Sequence, residues 1–534
     1  MEIKEILQIE HLKYLYEQAY AMHRHKDIPE LFVKSDDTVF TLPSAGDLTV
    51  GWEKINQKFT EELPNVSPRE DSFHTGWQIC TPFVKKSADG KIRGIFPTFG
   101  YLVLSLDPEL FTPPYDVLSS LELWKDIFEK EGSVYKIKQL QAQFLLGQCI
   151  WKWDPRDDDT VATRHEMNTI VHPYWGRDER AKLQVLNANL SKEMHEEKNT
   201  AEISFFCEEE KGVFPVDEDP AEAPSSCEAG PGGGTCYGVQ FAQSIFLLLW
   251  ENGEIDKIPD RVFAGSEEVS VSWEGEGEGS GQEGIRAFFG KMQEKTRKAG
   301  GFLRADLPAT QFIEVTGTGN RAVGRFTTMT KTVIEGGKTG WCIGRFDNEY
   351  VKENGIWRIA RLSWKKLIEF EPMQETPDQN LAAYRENPEA WLNTVPKLYS
   401  LPDRSACAYT EKVLNLRNQL LGLFDRYNRE QFPAAENCEC GNGDGLYEEF
   451  RVYMEEILKD IFCVLATSPV ISIRENEGTA EAFFSISLIK KKTDDSVTDI
   501  RGSLYIKLKT EAVHYNIEDV RWYPYAELAP WKTV

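Results

Sequence analysis

The spacing of apolar residues changes period in a set order along the chain, and the order recurs. Residues 1–20 (MEIKEILQIEHLKYLYEQAY) carry apolar positions at helical spacing among charged ones, which predicts an amphipathic helix. A short acidic stretch follows, then a helix opened by glycine at GWEKINQKF (51–59). The period then drops to two. PFVKKSADGKIRGIF (82–96) and DIFEKEGSVYKIKQL (126–140) each read as two strands around a polar turn.

This order returns further on. DIFEKEGSVYKIKQL aligns without gaps on NEYVKENGIWRIARL (348–362) at an offset of 222 residues, keeping Lys130, Glu131, Ile137 and Leu140 as Lys352, Glu353, Ile359 and Leu362. Upstream the offset is 230: GWEKINQKF matches GQEGIRAFF (281–289), and PFVKKSADGKIRGIF matches FIEVTGTGNRAVGRF (312–326). The change of offset places an insertion in the first copy, at the loop LDPELFTPPYDVL (106–118). A weaker third copy lies 158 residues beyond the second, where VISIRENEGTAEAFF (470–484) matches 312–326 and YNIEDVRW (515–522) matches WRIARLSW (357–364). Helical stretches at 411–428 and 445–460 precede it.

Helices followed by runs of long strands predict an α+β class, not a doubly wound parallel sheet. The expected architecture is three tandem cone-shaped domains, each with helices packed on the concave face of a strongly curved, mostly antiparallel sheet. Their expected bounds are 1–150, 237–370 and a divergent 405–534, with connectors at 151–236 and 371–404. In the first connector, Leu183, Leu186, Leu190 and Met194 predict an amphipathic helix over 177–199, and the acidic, Pro/Gly-rich stretch 207–234 predicts a linker.

The motifs LYEQAYAMHRHKDIPELFVKSDDTVF (15–40), GWEKINQKF, His74 with TPFVKKSADGKIRGIF, and WCIGRFDNEYVKENGIWRIARLSW (341–364) resemble the SnoaL-like branch of the nuclear transport factor 2-like superfamily. The closing strand pair around W-K/R-I is the most specific part. The resemblance implies cones with a small apolar cavity. Its members include cofactor-independent dehydratases, isomerases and cyclases acting on ring compounds, alongside members without catalysis, so the fold alone does not assign an activity. It also implies pairing of cones through open sheet faces. The first two copies are expected to pair within the chain and the third with its counterpart in a homodimer.

Two readings of function follow. In the first, the N-terminal cone is a lyase or isomerase for a small hydrophobic cyclic compound. His74, where family dehydratases carry histidine, is the acid/base, and Tyr16 or Tyr20 orients an oxygen. Tyr16, Tyr20 and His23 share a helix face by their spacing. Proton transfer beside a carbonyl needs such a base and a donor to the developing oxyanion. His23, Trp77, Trp250 (aligned with Tyr20) and Arg304 (aligned with His74) are the expected substrate contacts. Arg304 with Asp306 also reads as a surface ion pair. In the second reading the chain is a non-catalytic binding or assembly protein. Ala21, where family members carry aspartate, and the absence of histidine from 237–370 favour it.

Composition narrows the classes. The 534 residues are 41% hydrophobic, which is globular, and the net charge of −25 repels phosphate, arguing against nucleic-acid partners. The most apolar run, IFLLLW (245–250), is far shorter than a membrane span, and the charged N-terminus does not read as a secretory signal, so a cytoplasmic protein is expected. No H-E-x-x-H, two-Cys-two-His, phosphate-loop, dinucleotide or G-x-S-x-G motif occurs, so neither a metal nor a nucleotide cofactor is expected. Cys438 and Cys440 lack a second pair for zinc, and Cys227 and Cys236 flank the glycine loop of the linker.

Overall fold

The opening helix, α1 (Ile3–Ala21), contains neither Gly nor Pro, and apolar residues occupy more than one of its faces. In the computed structural model it is buried almost all round, with even Glu10, Lys13 and Glu17 about 1% exposed. The amphipathic pattern expected from the sequence is therefore corrected. The charged stripe faces protein, because α1 lies between its own sheet and a strand from the far end of the chain. The structure describes residues 3–21, 24–42, 47–62, 74–80, 82–86, 90–105, 115–153, 168–170, 233–251, 255–266, 268–298, 304–316, 319–333, 339–372, 411–432, 444–474, 477–491, 496–511 and 514–533. The expected helix at 177–199, the linker at 207–234, the second connector, the insertion loop 106–114, Cys438, Cys440 and His23 lie outside the described residues.

After α1 come β1 (Val39–Leu42), β2 (Asp47–Val50), the short α2 (Trp52–Gln57), β3 (His74–Ile79), β4 (Phe83–Lys86), β5 (Ile92–Ser105), β6 (Tyr115–Glu131), β7 (Val134–Trp153) and β8 (Asn168–Ile170). They form an eight-stranded sheet in the order β2-β1-β7-β6-β5-β3, with β4 on β5 and β8 on β7. The second stretch has α3 (Gly233–Glu251), β9 (Ser270–Trp273), β10 (Gly277–Ser280), α4 (Gly281–Lys298), β11 (Arg304–Thr316), β12 (Arg321–Val333), β13 (Thr339–Glu353) and β14 (Ile356–Pro372). The third has α5 (Glu411–Gln431), α6 (Asp444–Met454), β15 (Ile461–Arg474), β16 (Thr479–Lys491), β17 (Ser496–Glu511) and β18 (His514–Thr533). The strands of these last two stretches share one ten-stranded sheet in the order β11-β12-β13-β14-β18-β17-β16-β15, with β9 on β14 and β10 on β9, joined where Phe370–Pro372 pairs with Trp531–Thr533. The Glu-Asn-Gly turn lies where the sequence predicts it: Asn354 and Gly355 take φ of 51° and 87°, as a tight hairpin requires.

Each long helix also meets a neighbouring stretch. On α1, Gln18 Nε2 donates to the Ser468 carbonyl of β15 at 2.7 Å. On α3, Ser244 Oγ donates to the Pro82 carbonyl at 3.3 Å, and Phe241 packs on Phe83 with centroids 4.7 Å apart. On α5, Asn418 exchanges hydrogen bonds with both the N–H and the carbonyl of Ile313, at 3.0 and 2.7 Å. The contacts run in a ring: first helix on third sheet region, second on first, third on second. On the third stretch, α1 lies against β15.

One residue from each helix meets at the centre. Arg417 donates to Glu10 Oε2 at 2.9 Å and to Gln240 Oε1 at 3.0 Å, and Gln240 Nε2 donates to Glu10 Oε1 at 3.4 Å. A crevice lined by Tyr14, Cys80, Gln311, Arg417 and Ser468 leaves room there for about one water molecule.

Candidate functional site

The inner face of the first stretch is aromatic. Tyr16, fully buried, lies 5.6 Å from Trp124, 6.1 Å from Tyr20 and 6.3 Å from Phe32 between ring centroids. Tyr20 packs on His25 at 5.1 Å and on Phe59 at 6.3 Å. Both expected catalytic tyrosines are thus part of a packed aromatic cluster.

Three residues beyond the central triad, the helices carry Lys13, Gln243 and Leu420. Lys13 Nζ is 2.7 Å from Asp126 Oδ2 and 3.8 Å from the centre of the Trp124 ring. At the corresponding place Asn348 donates to Gln243 Oε1 at 3.0 Å, and Tyr350 OH donates to the same oxygen at 2.6 Å. In the third stretch the corresponding positions, Leu420 and Ile506, are apolar and buried. The position ties helix to strand by an ion pair, then by amides, then by apolar packing. Burial lowers Lys13 to about 8 against the pull of Asp126, and raises Asp126 against the pull of Lys13.

The second stretch fills its interior. Trp250 stacks on Trp273 at 4.8 Å, and Trp273 on Trp364 at 5.7 Å. The Arg304 guanidinium lies 3.8 Å from the centre of the Trp364 ring and binds Asp306 through two nitrogens, Nη2 to Oδ1 at 2.6 Å. Thr330 donates to the same carboxylate at 2.6 Å. The ion pair expected at the surface is buried, with Arg304 8% exposed and Asp306 fully enclosed. Burial pushes the nearby Cys342 thiol up to about 12.

Strand register changes one correspondence. A Cβ on Gly94 would strike Phe96 and one on Gly324 would strike Phe326, which matches β5 to β12 at an offset of 230. Thr98 pairs with Ile79, and its counterpart Thr328 pairs with Pro308; Leu102 pairs with Thr75, and its counterpart Thr332 pairs with Arg304. Arg304 therefore corresponds to Thr75, not to His74. The cause lies in the turn: five residues separate the paired Lys86 and Ile92, whereas six separate the paired Val315 and Ala322, so β11 runs one residue out of step with the ungapped alignment while both copies share the same irregularity upstream. A shift of one residue moves a strand position to the opposite face. Along β3, position 74 alternates with Gln78, whose side chain donates to the Leu465 carbonyl of the third stretch, whereas position 77 alternates with the core residue Ile79. The side chains of His74 and Trp77 lie outside the described part of the structure.

The second stretch is the one a known family matches. Residues 251–363 match the family described as "SnoaL-like domain". That segment, about a fifth of the chain, is similar to the SnoaL-like family. No curated protein matches the chain. Among solved structures, the chain is similar to a hexachlorocyclohexane dehydrochlorinase, LinA type 3, from Novosphingobium barchaimii LL02, at 14% identity and TM-score 0.22, covering 26% of this chain and 93% of that one. A LinA type 2 dehydrochlorinase gives 14% identity and TM-score 0.22, covering 27% and 93%. A nuclear transport factor 2-like protein with a cystatin-like fold from Novosphingobium aromaticivorans gives 15% and 0.20, covering 24% and 77%.

Within the SnoaL-like segment, Trp250 (one residue ahead of it) and Arg304 come together around Trp273 and Trp364 as interior packing. Tyr16 and Tyr20 come together in the first stretch. The sequence reading passed over Lys13, Asp126, Glu10, Glu17 and Arg417. Their charge reads as a solvated helix face until the neighbouring stretch is in place. Among the described residues no cluster of His, Cys, Asp and Glu has the makings of a metal site, and no helix is long and apolar enough to cross a membrane.

Proposed function

We propose that the chain is a SnoaL-like protein of three cones closed on one another, whose second and third cones are scaffold and whose first cone takes a small hydrophobic cyclic compound. One contrast carries this reading. Where the second cone has Thr330 and Trp364 closing its interior around Arg304, the first has Gly100 and Ala142 at the register-equivalent positions. The first cone carries its indole one strand over, as Trp124 where the second has Phe346, and the small residues Gly100 and Ala142 favour an apolar hollow beside it. Binding in this reading needs no cofactor and no histidine chemistry.

A second reading, a lyase or isomerase of the dehydratase type acting through the first cone, is favoured by a different observation. The first cone has an ionisable pair, Lys13 with Asp126, beneath its helix, where the other two have amides and aliphatic side chains. Under this reading Tyr16 or Tyr20 orients an oxygen and His74 or Lys13 moves the proton. Homodimerisation would use a surface other than the one α1 covers.

Untargeted ligand capture on the purified protein, read by native mass spectrometry, tests the binding reading; recovery of no small apolar compound contradicts it. Assays of His74→Ala and Tyr16→Phe with any captured compound separate the two readings. Turnover that is lost in either variant while binding persists supports catalysis. Binding without turnover in the wild-type protein supports the scaffold reading.

A further inference from the structure

The contact between α1 and the third stretch contains a carboxyl group without a dedicated cation. Glu17 is about 1% exposed and sits at the α1–β15 junction, where the hydroxyls of Ser468 on β15 and Ser485 on β16 face it. Two cations face it, and each is paired elsewhere. Lys13, one turn back on α1, lies 2.7 Å from Asp126, and Arg501 on β17 lies 2.8 Å from Asp499. Beside Glu17, Gln18 donates to the Ser468 carbonyl, and from β3 Gln78 donates to the Leu465 carbonyl. By contrast, the second and third stretches are joined by backbone pairing of β14 with β18 and by the Thr310 hydroxyl, which donates to the Val464 carbonyl at 2.9 Å and accepts from the Ala466 N–H at 2.9 Å. Those links do not titrate, and the one buried carboxyl described at that junction, Asp425 on α5, has cations beside it, Arg429 at 3.1 Å and Arg325 at 3.9 Å.

We propose that the α1–β15 junction is a pH-sensitive latch, closed while Glu17 is protonated and loosened when Glu17 ionises, so that the first stretch loosens from a fixed unit formed by the other two. Both carboxyl oxygens of Glu17 are buried without a hydrogen-bond partner, which a neutral carboxyl bears at lower cost than a charged one. A carboxylate in the same place is a buried charge without a counter-ion of its own, which is costly.

The direction follows from linkage. Burial pushes Glu17 up to about 8, against the opposing pull of Ser468, Ser485, Lys13 and Arg501. Once exposed, the group returns to the ordinary range near 4.5. Between those values the closed form holds a proton that the open form has lost. The closed-to-open ratio therefore falls with rising pH, by up to about tenfold per unit, and levels off above about 8. Lys13 titrates the other way, its burial favouring the closed form only as pH climbs beyond about 8. Glu10 and Asp126 are raised by burial too and titrate with the same sign, but each has a cation of its own that opposes the rise, Arg417 at 2.9 Å and Lys13 at 2.7 Å; the part of the drop that Glu17→Gln abolishes is the part due to Glu17.

The test is amide hydrogen exchange on the full chain between pH 6 and 8, with rates converted to protection factors, in the wild type and in Glu17→Gln. Protection across Ile3–Ala21 and Ile461–Arg474 is expected to drop at least tenfold in the wild type, while protection along β14 and β18 holds. Glu17→Gln is expected to stay flat. Glu17→Ala, which also removes the titrating group, serves if the glutamine variant does not fold and is expected to be flat as well. Unchanged protection in the wild type, or an equal drop in a folded variant, would overturn the latch.

Discussion

Replacing Arg417 with methionine removes the one cation at the point where the three long helices meet. Glu10 would keep only the 3.4 Å hydrogen bond from Gln240, in a place where it is about 1% exposed. Burial already raises Glu10 above the ordinary carboxylate range, and Arg417 opposes that rise. Breaking one side of a buried pair costs about 3–5 kcal/mol, whereas replacing both sides with apolar groups is often close to neutral. Arg417→Met is therefore expected to cost about 3–5 kcal/mol at pH 7. The loss should shrink toward pH 5, because an unsupported Glu10 escapes the penalty by holding its proton. The double variant Glu10→Met/Arg417→Met is expected to recover most of the loss, so that the two single-variant costs are strongly non-additive. Urea unfolding followed by tryptophan fluorescence, with the slope compared among variants, measures each corner of the cycle. A single-variant cost below about 1 kcal/mol, or a double variant no better than the single, would refute the argument that the triad fastens the helices together.

Further expectations follow from the interior of each stretch. Lys13→Gln/Asp126→Asn installs in the first stretch the amide pair found in the second, and should cost no more than about 1–2 kcal/mol, whereas Lys13→Met alone should cost about 3–5 kcal/mol by stranding Asp126; chemical denaturation compares them. Gly344→Ala drives a Cβ into the Trp364 ring, so it should destabilise by about 1–3 kcal/mol through overpacking, measured by thermal unfolding. Trp364→Ala should cost about 3–5 kcal/mol and open the Arg304–Asp306 pair to solvent, visible as a loss of stability that grows at high salt.

Much of the local architecture could be read from residue order alone. The Glu-Asn-Gly and Glu-Gly-Ser turns, the repeated Lys-Glu before them and the glycine-opened α4 at 281 all sit where the pattern put them. What escaped depends on contacts between distant residues. Glu10, Lys13 and Glu17 look like a wet helix face because what meets them is distant in sequence: Arg417 for Glu10, Asp126 for Lys13, and for Glu17 the strand β15, some 450 residues later. Arg304 looked like a surface residue because its shields, Trp273 and Trp364, reach it across the sheet. The pairing of Arg304 with His74 failed for a narrower reason: the turn after β11 is one residue longer than the turn after β4, which leaves no mark in an ungapped alignment yet exchanges the two faces of the strand. Histidine, aspartate and tyrosine types suggested chemistry, but burial among aromatic rings accounts for Tyr16 and Tyr20 as they stand.

Binding of a small aromatic probe such as naphthalene, followed by calorimetry on the wild type, Ala142→Trp and Trp364→Ala, addresses most directly whether the first cone is hollow and the second plugged. One site in the wild type, none in Ala142→Trp and a second site in Trp364→Ala is the predicted outcome. Undiminished binding in Ala142→Trp, or no binding by the wild-type chain, would contradict it.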